Sequence, residues 1–286
     1  MGAKNKKNVT AVFVCTAAAL LIGVAAMGSP RAKHETIKEL MRDAVLHELN
    51  KCGFLGIKEV NPAFISAVTV TCIILAAAAV IRIFVIPRFQ YVPGRLQLLL
   101  EEVVGLFDGL AKSNSPHRNG FLGVYVFSAG VYIFSGTIFE LFGVEGITTE
   151  GTAIALPAPL SDINAAIALG CLSYLVILSG GIAGNGLRGV GKTLKDFSLP
   201  ISMSFRLFGS LLSGLLVTEL VYYYFQLSFV LPVVVGVLFT LLHALIQTYV
   251  LTMLTALFYG EVSEPHPKTE KKSRNRKMKQ RGTVHG

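Results

Sequence analysis

Charge is scarce in this chain: charged residues make up 15% of the 286, against 52% hydrophobic. Mean hydropathy is +0.60. A soluble domain of this size would need far more charge to cover its surface, which excludes that class. Cysteine is also sparse. Cys15, Cys52, Cys72 and Cys171 show no paired spacing, so neither a disulfide framework nor a cysteine metal site is expected. Three of the four lie in apolar stretches and read as packing residues. No internal repeat is visible, and matched glycine- or proline-broken helices are missing too. Both would be expected of a repeat-built secondary cation or proton transporter.

What the chain has instead is apolar runs. Six stretches are long enough to cross a bilayer: roughly 9–27, 62–86, 120–142, 163–184, 199–227 and 229–259. The fold class is therefore an all-α polytopic membrane protein of about six membrane helices. The last two exceed a perpendicular crossing and must tilt, bend or emerge. Four segments follow: an N-terminal membrane helix or signal-like segment (1–30), an outer amphipathic segment (31–61), the core (62–260) and a basic cytoplasmic tail (261–286). Residues 9–27 also fit a signal peptide, with a lysine-rich start and small residues at Ala25, Ala26 and Gly28.

Orientation follows the bases. Lys4, Lys6 and Lys7 precede the first run. Arg82, Arg88, Arg95, Lys112 and Arg118 lie at or between the ends of the second and third, and Arg188, Lys192 and Lys195 follow the fourth. Eight more lie beyond Tyr259, and the loop 143–160 carries Glu145 and Glu150 but no base. An N-inside topology places these bases on the cytoplasmic side, although residues 31–58 put six on the other, alternating with acids. The net charge of +9 comes largely from the tail. It reads as orientation and attraction to anionic lipid, with no nucleic-acid partner.

Gly186-Leu-Arg-Gly-Val-Gly-Lys-Thr193 fits the phosphate-cradling pattern G-x-x-x-x-G-K-T. That loop works only between a strand and a helix N-terminus. Here an apolar helix delivers it, so a basic glycine-rich cytoplasmic loop is expected. No cofactor and no metal site is expected.

Charges inside a membrane span are expensive and need a reason. Arg206 lies within the fifth run, and its own helix offers no acid within ten residues except Asp196. At i+3/i+4 spacing Ser202, Arg206, Gly209, Ser210, Ser213 and Gly214 share one face. Small residues let another helix approach closely, so this face suits a moving partner that carries a carboxylate. Snorkelling to the cytoplasmic edge is the competing reading of Arg206. Other polar groups gather toward the outer half. They are Glu140, Asp162 and Asn164 (Asp162 also fits a helix cap), then Glu219 thirteen residues past Arg206. Thr240, His243 and Gln247 share a face of the last run.

These residues resemble subunit a of F-type ATP synthases over about 62–260. The resemblance rests on Val92-Pro-Gly-Arg-Leu-Gln97 with Glu101-Glu102, Phe139-Glu140-Leu-Phe, Pro159-Leu-Ser-Asp162-Ile-Asn164, Ile201-Ser-Met-Ser-Phe-Arg206-Leu-Phe-Gly209, and Gln247-Thr-Tyr-Val-Leu-Thr-Met-Leu-Thr-Ala. It implies a stator subunit that is not itself catalytic. Its long helices would lie tilted against a ring of proteolipid c subunits, each bearing a carboxylate, with stalk subunit b as a further partner. Arg206 would be the essential rotor-facing arginine. Glu140, Asp162, Asn164, Glu219, Thr240 and His243 would serve an outer proton path, and Ser202, Ser210 and Gln247 a cytoplasmic one. The membrane implied is the bacterial plasma membrane or the mitochondrial inner membrane. Ser210, Leu215 and Thr240 depart from the family, which carries Asn, Glu or His, and His, Glu or Asp there. Glu219 and His243, each about a turn further on, are expected to replace the last two. The departures leave a sodium-using version of the same subunit open.

Overall fold

The computed structural model describes residues 52–54, 57–117, 119–147, 153–223 and 231–264. The expected first span, Cys15, residues 31–51 of the outer segment and the tail beyond residue 264 lie outside them. A short hairpin, β1 (Cys52–Phe54) and β2 (Ile57–Val60), leads into α1 (Pro62–Val80). Asn61 starts α1: its side-chain oxygen accepts from the Ala63 N–H at 2.9 Å, and Pro62 occupies the first turn, where no N–H is required. The helix widens through a π turn (Ile81–Val85), tightens through a 3-10 turn (Ile86–Arg88), and the chain turns into amphipathic α2 (Arg95–Asn114). Helix α3 (Gly120–Phe139) returns to a 3-10 turn at Glu140–Phe142, which Gly143 ends in the left-handed conformation.

A second hairpin, β3 (Glu145–Ile147) and β4 (Ala153–Ala155), pairs Glu145 with Ala155 and Ile147 with Ala153. It packs by β3 on β1, with Cys52 buried between them and Leu156. Burial raises the Cys52 thiol pKa above its usual value. After a 3-10 turn (Pro159–Ser161) come α4 (Ile163–Asn185), α5 (Leu187–Lys195), α6 (Ser198–Tyr223) and α7 (Leu231–Ser263).

Four stretches are long and apolar enough to cross a membrane: Pro62–Arg88, Gly120–Phe142, Ile163–Asn185 and Gly236–Ser263. Three of them coincide with expected runs to within two residues, the fourth overlaps the run expected over 229–259, and α6, in the run expected over 199–227, is not among them. Several polar side chains in these helices are satisfied by carbonyls of their own helix or by a neighbouring helix, as a bilayer favours. Thr137 donates to the Ile133 carbonyl at 2.8 Å, and Thr255 to that of Leu251 at 2.8 Å. Tyr125 and Ser173 join α3 to α4 through their hydroxyls at 2.8 Å.

Glycines set how closely the helices approach. A methyl on Gly260 of α7 would land on the Asn114 carbonyl of α2, and one on Gly184 of α4 on the Ser263 carbonyl of α7. The core they enclose includes Leu122, Val126, Ile133, Ile177, Met203, Leu207 and Tyr259. Cys72 and Cys171 face outward, contrary to the expectation that they pack. Cys72 lies on the exposed length of α1, and Cys171 lines a shallow pocket between α4 and the start of α6.

The phosphate-loop lookalike is a helix and not a loop. Residues 187–195 form α5, which doubles back along α4 with Gly189 pressed on the Gly181 carbonyl. Thr193 is buried, its hydroxyl spent on the Gly189 carbonyl at 3.0 Å, and Tyr174 donates to its backbone oxygen at 3.0 Å. Close helix packing therefore accounts for Gly181 and Gly189, and the Thr193 hydroxyl is not free to serve a nucleotide.

Candidate functional site

The return of α5 determines where α6 begins. A Cβ on Gly170 would lie 2.9 Å from the Pro200 carbonyl oxygen, so α6 starts level with Gly170 and not with Asn185. Gly170 is seven residues from the Ile163 end of α4, about 10 Å, and some 22 Å from its Asn185 end. Arg206 follows less than two turns later. Snorkelling to the Asn185 end is thus out of geometric reach. Some 35 Å of helix remain after Pro200, with only about 10 Å of α4 beside them.

The faces of α6 divide cleanly. Met203 (2% exposed), Ser204, Leu207 (1%) and Leu211 are buried against the bundle, whereas Ser202, Phe205 (64%), Arg206, Gly209 and Ser213 are exposed. Ser204 sits in the space Gly170 leaves, its hydroxyl bonded to the Pro200 carbonyl at 2.7 Å. Ser210 is half-buried and donates to the Arg206 carbonyl at 2.9 Å, while Ser213 donates to that of Ser210 at 2.7 Å. The hydroxyls next to the guanidinium are therefore occupied by their own helix. The Arg206 guanidinium has no hydrogen bond or ion pair among the described residues. An uncovered guanidinium on an apolar helix is unfavourable unless a partner meets it.

Gly214 turns away from that strip toward α7, where a Cβ would lie 3.5 Å from His243 Nδ1. His243 is half-buried, with its ring 5.9 Å from that of Phe239, and Thr240 is half-buried one turn away. Gln247 is buried, and its Oε1 has no hydrogen-bond partner among the described residues; neither has Thr248 Oγ1 beside it. Buried polar atoms without partners call for water or another ligand. Thr240, His243 and Gln247 do lie toward one side of α7, as their spacing predicts.

At the Ile163 end, Asp162 caps α4 by accepting from the Asn164 N–H at 2.6 Å. Its other oxygen accepts from the Asn61 side chain, the residue that caps α1. Two helix starts are thereby tied through one amide–carboxylate contact. Asn61 was not among the expected site residues, although Asn-Pro before an apolar run is a readable helix-start signal. Asn164 is exposed, and Glu140 is half-buried at the end of α3. No hydrogen bond or ion pair joins Glu140 to Asp162 among the described residues. Glu219 lies within α6, but its side chain, like that of Leu215, is outside what the structure describes. At the opposite end Asn185 donates to the Val262 and Glu264 carbonyls at 3.0 and 2.8 Å, and His117 meets Ser263 at 2.9 Å. These contacts anchor the last turn of α7, whose carbonyls have no partner within the helix. Among the described residues no group of three His, Cys, Asp or Glu is placed to hold a metal ion.

The ATP synthase A chain family model matches residues 65–260, about two thirds of the sequence. The chain belongs to that family. It is accordingly a multi-pass membrane subunit of an F-type ATP synthase, a complex that couples proton transport to ATP synthesis. The match spans α1 to α7 and includes the exposed face around Arg206. The subunit works as one part of a complex with other ATP synthase subunits.

Proposed function

We propose that this subunit is the stator proton channel of its complex, facing a ring of c subunits and braced by stalk subunit b in a bacterial plasma membrane. One observation carries the reading: Arg206 stands uncovered on a strip of small residues of an apolar helix, with no acid to pair with among the described residues. Arg206 attracts the ionised carboxylate of a passing c subunit, lowers its pKa, and separates two offset half-channels. Protons from outside pass Glu140, Asp162, Asn164, Glu219, Thr240 and His243 to protonate that carboxylate. Neutral, it enters lipid without the cost of burying a charge. It then releases its proton near Ser202, Ser210 and Gln247, where the unpartnered Gln247 oxygen suits an ordered water. Rotation of the ring couples this flow to ATP synthesis elsewhere in the complex.

The contact of Gly214 with His243 supports the compensation of Leu215 and Thr240, because it places an imidazole between α6 and α7 one turn past Thr240. ATP-driven proton pumping by membrane vesicles tests the reading. Replacing both Glu219 and His243 with alanine is expected to slow pumping on the order of 100-fold, the scale of a lost acid–base relay. Pumping at the wild-type rate would remove both residues from the path.

A further inference from the structure

The junction of α1 and α2 holds a cavity that the proton path does not use. Gln97 in the first turn of α2 reaches back to Gln90. Its Nε2 donates to the Gln90 carbonyl at 3.1 Å, and its Oε1 accepts from the Gln90 N–H at 3.1 Å. The same Nε2 donates to Glu101 at 2.8 Å. These bonds fix the loop between the two helices and frame a cavity of about 390 Å³. Phe84, Phe89 and Leu96 give it an apolar wall, and Arg88 and Arg95 a cationic one. Neither arginine has an ion-pair partner among the described residues.

Position narrows the ligand. The apolar stretch Pro62–Arg88 ends at this cavity, which puts it at headgroup level. Helix α2 continues from it with an exposed apolar face of Leu98, Leu99, Val103 and Leu106, as a helix lying in the interface would have. Two guanidiniums match the fork geometry of a phosphate. The apolar wall beside them matches acyl chains, which a free phosphate does not carry. We propose that this pocket seats the phosphate of an anionic phospholipid headgroup, held by Arg88 and Arg95 in a loop that Gln97 keeps in shape. This inference is independent of the proton path.

The test uses the assembled complex in detergent and a photoactivatable phosphatidylglycerol, with labelling mapped by mass spectrometry. Label is expected within residues 84–97 and should fall on the order of tenfold in the variant carrying Arg88→Gln and Arg95→Gln. Arg82→Gln, outside the cavity, should keep it. On the wild-type complex, vesicles containing phosphatidylglycerol should compete, whereas phosphatidylcholine vesicles and inorganic phosphate should not. Unchanged labelling of the double variant, or equal competition by phosphatidylcholine, would overturn the proposal. Competition by inorganic phosphate as strong as that by phosphatidylglycerol would assign the pocket to a free anion and overturn the lipid. The competition experiments need no variant to assemble.

Discussion

Arg206→Ala should reduce ATP-driven proton pumping to roughly a tenth of wild type or far less, while the subunit still assembles. An arginine beside a carboxylate lowers its pKa by about 1 to 3 units, which is about 10- to 1000-fold in the ratio of ionised to protonated acid. On the proposed mechanism, without Arg206 a rotor carboxylate would pass the stator still protonated, and rotation would no longer require release on one side and uptake on the other. Passive proton leak should therefore rise as coupled pumping falls. Assembly should survive because the side chain is exposed and makes no described contact within the subunit. Arg206→Lys keeps the charge but loses the planar fork, and should recover only part of the activity. Vesicle pumping and leak assays report both quantities. Coupled pumping close to wild type in Arg206→Ala would contradict the role given to this residue.

The second large effect concerns assembly. Gly260→Val places a methyl on the Asn114 backbone carbonyl, and Gly189→Val places one on that of Gly181. Backbone cannot rotate aside as a flexible side chain can, and overpacking of this kind costs about 1 to 3 kcal/mol or more. Each substitution should lower the amount of assembled subunit by roughly tenfold or more, read by immunoblot of purified complexes. Gly209→Val is the control, since nothing lies within 4 Å of a Cβ there. It should assemble normally and lose coupled pumping, because its methyl intrudes on the strip beside Arg206. Normal abundance of both packing variants would show that the described contacts are not what holds α2, α4, α5 and α7 together.

The four helices α1, α3, α4 and α7 could be read from hydropathy because a bilayer enforces long, nearly uncharged runs. The strip on α6 could be read because helical periodicity alone separates Ser202, Arg206, Gly209 and Ser213 from Met203, Leu207 and Leu211. Other features depend on contacts that local pattern does not encode. The tie between Asn61 and Asp162 joins residues 101 apart in the chain. Helix α5 looked like a loop because its glycines lower helix propensity, yet Gly189 is the residue that permits packing on α4. The depth at which α6 begins follows from that packing. Hairpins of three- and four-residue strands leave too short a pattern to detect. Cys72 and Cys171 look like core residues because an apolar membrane helix is apolar on its lipid side as well.

Disulfide or bifunctional cross-linking between α6 and a c subunit tests the central claim most directly. Cysteine replaces Ser202, Gly209 or Ser213 on the exposed strip, and Met203 or Leu211 on the buried face, each paired with a cysteine beside the carboxylate of the c subunit. Cross-links from the first three positions and none from the last two are expected, with rotation-driven pumping blocked once they form. Cross-links from the buried pair, or none from the strip in assembled complexes, would show that the face bearing Arg206 does not meet the ring.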